Sequence, residues 1–288
     1  MIPLMWTWVL KLWAASPSLL RDRIASGVGR LPLPVLRRRA QRQVEARRLL
    51  FRQSLPPDPA SGREAVRRHA LWVADFLSLL GGREIELEVP ADLPPRTEPG
   101  PLFVTLHVGN WIAAAELLAC RYRQLHTVAG TQLHPSLRPL IGRAMDRRGV
   151  VLHSGPGTSE ALLRALRAGQ AVVIHLDGSA DPSRVTRGTA PLGVRAAARL
   201  AVRSGAPVYF ALAHRLEADR CRLEHRRLHL DPDAPWGGAG LPDRALIARW
   251  EARLLDLWRE EVLLRPAEWL IFRADPRLAS PEVSCASR

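Results

Sequence analysis

One stretch of the chain, PLFVTLHVGNWIAAAELL over residues 101–118, most constrains its fold. A short apolar run over residues 102–106 is typical of a buried strand, and it leads into His107 and a Gly-Asn-Trp turn at 109–111. The apolar, Ala-rich segment that follows predicts a helix, which the side chain of Asn110 can cap. A strand, a tight turn and a helix in this order are typical of α/β proteins, which place functional groups at such turns. We therefore take His107 as the centre of a candidate site.

Strand-like and helix-like segments alternate from residue 101 onward. Strands are predicted at Leu102–Leu106, Leu125–Ala129, Val150–Leu152, Ala171–Leu176 and Pro207–Ala213, with an antiparallel edge strand at Cys221–Leu230. Helices are predicted at Trp111–Arg121, Ser136–Arg147, Ser159–Ala168, Arg195–Ser204 and Leu241–Leu263. This alternation predicts an α/β fold with a mostly parallel central sheet flanked by helices.

The first hundred residues have a different pattern. They predict a basic helix over 34–53, an amphipathic helix over 63–80, an exposed strand over 84–89 and a Pro-rich linker over 90–101. We therefore expect a helical, membrane-associated lead-in over residues 1–100 and an α/β domain over residues 101–288.

The first 15 residues, MIPLMWTWVLKLWAA, are apolar and include three tryptophans. This segment is shorter than the roughly 20 residues that a membrane-spanning helix needs, and tryptophan favours the membrane interface. We favour an interfacial anchor; a signal peptide ending near residues 14–16 and a buried helix are the alternatives. Arg21, Arg23 and Arg30 follow closely, as expected for a segment held on anionic headgroups.

The chain carries 42 basic and 28 acidic residues, a net charge of +14, and Lys11 is its only lysine. Arginine suits bidentate contacts with phosphate, although a GC-rich genome would give the same bias. Candidate partners are nucleic acid, an anionic membrane surface and a phosphorylated lipid. Nucleic acid is disfavoured, because the sequence has no nucleic-acid-binding motif.

Several common catalytic and cofactor motifs are absent from the sequence. It has no Gly-rich dinucleotide motif, no phosphate-binding loop and no GxSxG turn, which argues against nucleotide-binding enzymes and serine hydrolases. The three cysteines, and His126, His134 and His153, fit no metal spacing. We predict neither a metal nor a cofactor.

The segment LHVGNW resembles the HxGNW segment of the bacterial lipid A late acyltransferases, the lauroyl and myristoyl transferase family, which is lysophospholipid acyltransferase-like. The resemblance covers most of the chain, and HxGNW together with the segment ending at Asp177 is its most specific part. The other similar segments are RRGVV at 147–151, LRALRAGQAVVIHLD at 163–177, residues 188–208 and Pro-Ala-Glu-Trp at 266–269.

The resemblance implies a glycerolipid acyltransferase-like enzyme bound to the cytoplasmic face of the bacterial inner membrane. It would transfer a fatty acyl group from a thioester of acyl carrier protein or coenzyme A to a hydroxyl of a glycolipid or lysolipid, as in the lipid A part of lipopolysaccharide biosynthesis. His107 would be the general base, and amides near Gly109 and Asn110 would stabilise an oxyanion. Gly109, Asn110 and Trp111 would contact the substrate, and Arg147 or Arg148 would bind a phosphate.

The family has an acidic residue five positions after the histidine, but here that position is Ile112. Glu116 lies one helical turn further, roughly 6 Å along the axis, and is one alternative partner for His107. Asp177 is another, because it ends a neighbouring predicted strand together with His175. The third alternative is that no acid replaces the missing one. The chain would then be a catalytically impaired homologue that acts as a lipid-binding or scaffold protein.

Overall fold

The computed structural model describes residues 10–30, 59–128, 138–178, 190–217, 219–230, 243–265 and 267–269. Residues 10–15 are helical, and the basic helix predicted over residues 34–53 lies outside the described residues. The further helices of this part of the chain are α1 (Ser18–Arg30), α2 (Pro59–Leu80), α3 (Trp111–Tyr122), α4 (Arg138–Asp146), α5 (Thr158–Arg167), α6 (Leu192–Ser204) and α7 (Asp243–Leu264). The strands are β1 (Glu86–Glu88), β2 (Leu102–Thr105), β3 (Leu125–Val128), β4 (Val150–His153), β5 (Ala171–His175), β6 (Val208–Glu217) and β7 (Arg220–Leu228).

The seven strands form one sheet in the order β1-β7-β6-β2-β5-β3-β4. Every neighbouring pair is parallel except β6 and β7, which are antiparallel. The predicted α/β fold with a mostly parallel sheet is therefore confirmed. The strands and helices predicted after residue 101 are present, with their ends shifted by a few residues.

The predicted edge position of β7 is wrong. This strand is antiparallel to β6, as expected, but β1 pairs with its other side and forms the edge of the sheet. β1 comes from the strand predicted over residues 84–89, before the expected boundary at residue 100. The sheet thus takes one strand from the predicted lead-in, and the division into two parts remains a prediction.

Helices cover both faces of the sheet. α5, α6 and α7 pack on one face around the buried Trp250 and Trp258, whereas α2, α3 and α4 pack on the other. β2 lies in the middle of the sheet and is buried along its whole length, which explains why residues 102–104 are all apolar and do not alternate with polar ones.

The alternation of side chains along β2 and β5 decides where the candidate site lies. Phe103 faces α3, and His107 has the same parity, so its side chain also leaves the sheet on that side. Thr105 pairs with His175 in the parallel register, so β2 and β5 end level with each other. His107 and Asp177 each follow two residues later, side by side at the carboxyl edge of the sheet.

Polar contacts tie the N-terminal helices to the rest of the protein. Trp13 Nε1 donates a hydrogen bond to the carbonyl of Ala74 at 3.1 Å, and Arg21 forms an ion pair with Asp219 between β6 and β7. No helix in the described ranges has the length and apolar character needed to cross a membrane.

Candidate active site

The side chains of His107 and Asp177 contact each other directly. His107 Nδ1 lies 2.9 Å from Asp177 Oδ1, and the His107 backbone N–H donates to Asp177 Oδ2 at 3.0 Å. Trp269 Nε1 also donates to Asp177 Oδ2, at 2.7 Å. The Asp177 side chain is completely buried, and these N–H donors satisfy it. Asp177, from the neighbouring strand, is therefore the acidic residue beside His107.

The electrostatic surroundings of Asp177 favour its ionised form. Burial alone would raise the pKa of Asp177, but the charge of His107 and the hydrogen bonds from His107 and Trp269 outweigh burial and hold that pKa below 3.8. An ionised carboxylate only accepts hydrogen bonds, so Nδ1 of His107 carries the proton of the contact. The Nε2 lone pair of His107 is then left to accept a proton, and the His107 side chain is 25% exposed.

Two aromatic side chains hold the His107 ring. His175 stacks on it with 4.3 Å between ring centroids, and Trp111 meets it edge-on at 5.0 Å. Burial, and to a smaller extent the neighbouring His107, lower the pKa of His175 to about 3, so His175 is neutral near pH 7. The imidazole of His107 is therefore confined by packing as well as by its bond to Asp177.

The turn after His107 requires glycine at position 109. Gly109 has φ = +63°, and a Cβ atom there would lie 2.4 Å from the carbonyl oxygen of Ala213. The next residue, Asn110, donates its backbone N–H to the same oxygen at 2.9 Å. The Asn110 amide predicted to hold an oxyanion is thus already bonded within the protein. The first-turn amides of Trp111 and Ile112, which have no acceptor within the helix, are better suited to that role.

The side chain of Asn110 caps α3, as the sequence predicts. Its Oδ1 accepts a hydrogen bond from Ala113 N at 3.1 Å, and its Nδ2 donates to Asp75 Oδ2 at 3.0 Å. The side chain of Asn110 therefore joins the turn after His107 to α2, whereas the sequence suggested a direct contact with substrate.

Glu116 and Arg148 do not meet His107. Arg148 Nε donates to Glu116 Oε1 at 2.8 Å, and Arg148 Nη2 donates to the carbonyls of Leu79 and Arg83 at 3.2 Å. Glu116 is directed away from the turn because it lies a full turn further along α3, where Arg148 neutralises it. Glu116 and Arg148 thus contact each other and not His107, and the catalytic role predicted for Glu116 and the phosphate-binding role predicted for Arg148 stay predictions. Arg147 is exposed.

Ile112, at the position of the family's acidic residue, is buried in the apolar core beside α3.

Elsewhere in the structure, His126 and His153 contact each other, with 2.9 Å between Nδ1 of His126 and Nε2 of His153. His134 lies outside the described residues. Across the described ranges, no three residues among His, Cys, Asp and Glu are grouped so as to hold a metal ion.

A cleft lined by apolar and charged side chains opens beside the turn at Gly109 and Asn110. Its charged residues come from three elements and were not identified from the sequence as functional. The cleft is lined by Arg68, Leu71, Trp72, Asp75, Gly109, Asn110, His214, Arg215 and Glu268. Burial raises the pKa of Asp75 to about 6, and the nearby charge of Arg215 only partly opposes this effect. The sequence pointed to three residues of its lining: Gly109 and Asn110 in the turn, and Glu268 in the Pro-x-x-Trp segment.

Comparisons with known proteins found similarity to solved structures alone. No protein-family model and no curated protein matches the sequence. The crystal structure of the 1-acyl-sn-glycerophosphate acyltransferase PlsC from Thermotoga maritima is similar over 86% of this chain and 99% of that chain, with 12% identity and a TM-score of 0.38. We base the proposed function on the chemistry of the site.

Proposed function

We propose that the protein is an acyltransferase that uses His107 as general base and Asp177 as the residue that orients it. The observation that carries this proposal is the 2.9 Å contact between His107 Nδ1 and a fully buried Asp177. A histidine that is paired through Nδ1 with an ionised carboxylate, and whose side chain is partly exposed, is suited to taking a proton from a hydroxyl.

In the proposed reaction, His107 Nε2 removes the proton of an acceptor hydroxyl while the oxygen attacks the carbonyl carbon of an acyl thioester. The tetrahedral intermediate carries its negative charge on the former carbonyl oxygen, near the first-turn amides of α3. The carbon–sulfur bond then breaks, and the imidazolium of His107 returns the proton to the departing thiolate. The products are an ester and a free thiol, and the charge on Asp177 stabilises the imidazolium throughout.

The resemblance around HxGNW supports a fatty acyl thioester of acyl carrier protein or coenzyme A as donor. It also supports a glycolipid or lysolipid hydroxyl as acceptor, as in the late acylation of lipid A. We include both in the proposal. No metal or other cofactor enters the proposed steps.

We also propose that the protein binds the surface of the bacterial inner membrane on its cytoplasmic side. Four large apolar side chains of the N-terminal helices are exposed to solvent: Leu12, Leu19, Leu20 and Ile24. Such a concentration of exposed leucine and isoleucine, next to basic residues, suits an anionic lipid surface.

Vesicle sedimentation tests the membrane proposal. Leu19 and Leu264 are almost equally exposed, at 71% and 70%, but Leu264 ends α7. Leu19→Glu should reduce binding to anionic vesicles about tenfold, because it places a charge in the apolar interface, whereas Leu264→Glu should leave binding unchanged. Equal effects of the two substitutions would contradict the proposed surface.

Acyl transfer is tested with the purified full chain, acyl carrier protein and coenzyme A thioesters, and detergent-dispersed glycolipid and lysolipid acceptors. We expect an acylated lipid product, and a loss of about 1,000-fold in its rate for His107→Ala. The buried Ile112 favours a second candidate, a lipid-binding protein without activity. Vesicle binding with no product from any donor would support that candidate and reject the acyltransferase.

A further inference from the structure

The cleft beside Gly109 and Asn110 has features that indicate what kind of headgroup it takes. It is an open cleft, lined by side chains of α2, β6 and the segment around Glu268 together with the turn at Gly109 and Asn110. Glu268 lines it and directly precedes Trp269, whose indole N–H binds Asp177. The cleft therefore adjoins both the turn after His107 and the residue that holds its carboxylate partner.

The arginines of the cleft are already paired with carboxylates. Arg215 contacts Asp75 at 3.0 Å and Asp22 at 2.5 Å. Arg68 contacts Glu64 at 2.6 Å and, on its other side, Glu268 at 3.3 Å. Asp75 and Glu268 line the cleft itself, so its two arginines are balanced by two carboxylates within it, although the chain as a whole carries a net charge of +14. A phosphate entering the cleft would be repelled by these carboxylates and would meet no arginine that lacks a counter-ion.

The cleft still offers both donors and acceptors of hydrogen bonds. The hydrogen bonds of Arg215 to described residues run from Nε and Nη2, which leaves the N–H groups of Nη1 for a ligand. The ion pair of Glu268 with Arg68 uses Oε1, while Oε2 lies 4.0 Å from the position that a Cβ atom on Gly109 would take. A hydroxyl both donates and accepts, so it matches this mixture, whereas an ionised phosphate oxygen only accepts.

We infer that the cleft binds an uncharged polyhydroxyl headgroup, such as a glycosyl group, of the acyl acceptor and discriminates against a phosphate monoester. This inference rests on the proposed function, because it makes the cleft the acceptor subsite of the His107 centre. It narrows the acceptor from glycolipid or lysolipid to a lipid whose hydroxyl is presented by a sugar or another polyol. Glu268 and Arg215 supply the acceptor and the donor that recognise it.

The test compares two amphiphiles that share a tail and differ in headgroup, octyl glucoside and octyl phosphate, each below its critical micelle concentration. Binding to the full-length protein is measured by calorimetry, so the result does not depend on activity. Because the tails are identical, the ratio of the two affinities reports the headgroup alone. We expect octyl glucoside to bind about tenfold or more tightly than octyl phosphate, the effect of one unpaired or repelled charged group.

Glu268→Gln removes one negative charge and one strong acceptor. The substitution should weaken the binding of octyl glucoside about tenfold and bring the affinities for octyl glucoside and octyl phosphate closer together. The control is Arg203→Gln, since Arg203 forms an exposed ion pair with Glu160 away from the cleft and should leave both affinities unchanged.

The outcomes separate this inference from the proposed function. Octyl glucoside selectivity that depends on Glu268 supports the headgroup preference of the cleft. If no acyl transfer is found beside it, the acyltransferase and the role of the cleft as acceptor subsite are rejected, and the headgroup preference alone stands. Equal affinities, tighter binding of octyl phosphate, or an unchanged ratio in Glu268→Gln overturns the inference even if acyl transfer is observed.

Discussion

Asp177 and Glu116 are both buried carboxylates on the α3 side of the sheet, yet their surroundings differ sharply. Asp177 accepts hydrogen bonds from His107 and Trp269, which together with the charge of His107 lower its pKa. Glu116 is paired with Arg148; burial nevertheless raises its pKa, and its Oε2 has no hydrogen-bond partner among the described residues. One carboxylate is held by the candidate site, and the other neutralises an arginine between helices.

This difference shows what brings an acidic residue next to a histidine at a strand end. Glu116 is close to His107 along the chain, but the rise of α3 carries it away from the turn. Asp177 is 70 residues away, but adjacent parallel strands lie about 4.8 Å apart, so two residues that follow level strand ends become neighbours. Proximity across the sheet therefore decides between the two carboxylates.

The strongest test of this comparison substitutes each carboxylate by its amide. Asp177→Asn should lower kcat for acyl transfer about 1,000-fold or more, because an amide can donate to Nδ1 and favour the wrong tautomer of His107. Glu116→Gln should stay within about threefold of the wild type, since its partner is structural. Steady-state kinetics on folded protein measures both, and similar losses in the two variants would break the distinction.

The next effect concerns stability. Arg148→Gln should lower the free energy of unfolding by about 3 kcal/mol, because it leaves Glu116 buried without its counter-ion. The neighbouring Arg147→Gln is the matched control and should change stability by less than about 0.5 kcal/mol, since Arg147 is exposed. Denaturant unfolding measures both. A large loss of kcat per folded molecule in Arg148→Gln would give this arginine a role at the site after all.

A smaller effect is expected from removing the indole N–H of Trp269, which donates a hydrogen bond to Asp177. Trp269→Phe keeps an aromatic ring at this buried position but removes the N–H donor, so it should raise the pKa of Asp177 and lower kcat about tenfold with little change in KM. Kinetics across a range of pH values tests this. An unchanged kcat would mean that the His107 contact alone sets the state of Asp177.

The pH dependence of folding should show opposite slopes for the two carboxylates. The pKa of Asp177 is lowered in the folded protein, so its stabilising contribution is present above its ordinary value of 3.8 and is lost as the pH falls through its lowered pKa. The pKa of Glu116 is raised, so its contribution is present below 4.5 and is lost as the pH rises through the raised value. The free energy of unfolding of Asp177→Asn and of Glu116→Gln is measured between pH 3 and 7. Each variant should lack the pH dependence that its substituted carboxylate contributes. The same pH dependence in both variants would contradict the opposite pKa shifts of the two carboxylates.

The sequence was sufficient for the parts of the fold that local patterns determine. Apolar runs and glycine or proline boundaries located the strands that form the sheet after residue 101, and Asn110 was recognisable as a helix cap. The pairing of strands that are distant in the sequence could not be predicted in this way. The three-residue strand β1 gave no sign that it would add to β7 and move that strand from the edge.

The candidate site was likewise predictable only where local sequence patterns determine it. The motif identified His107, and adjacent strand ends made Asp177 one of three alternatives. The Glu116–Arg148 pair and the cleft residues Asp75 and Arg215 depend on how the helices pack over the sheet. No spacing in one sequence encodes that packing.

The most direct measurement of the central claim is a double-mutant cycle on His107 and Asp177. If Asp177 acts only through the imidazole, adding Asp177→Asn to His107→Ala should lower the rate of acyl transfer by no more than about threefold beyond His107→Ala alone. If the two losses instead multiply to the full product of the single substitutions, Asp177 acts independently of His107, and the proposed His107–Asp177 pair is contradicted.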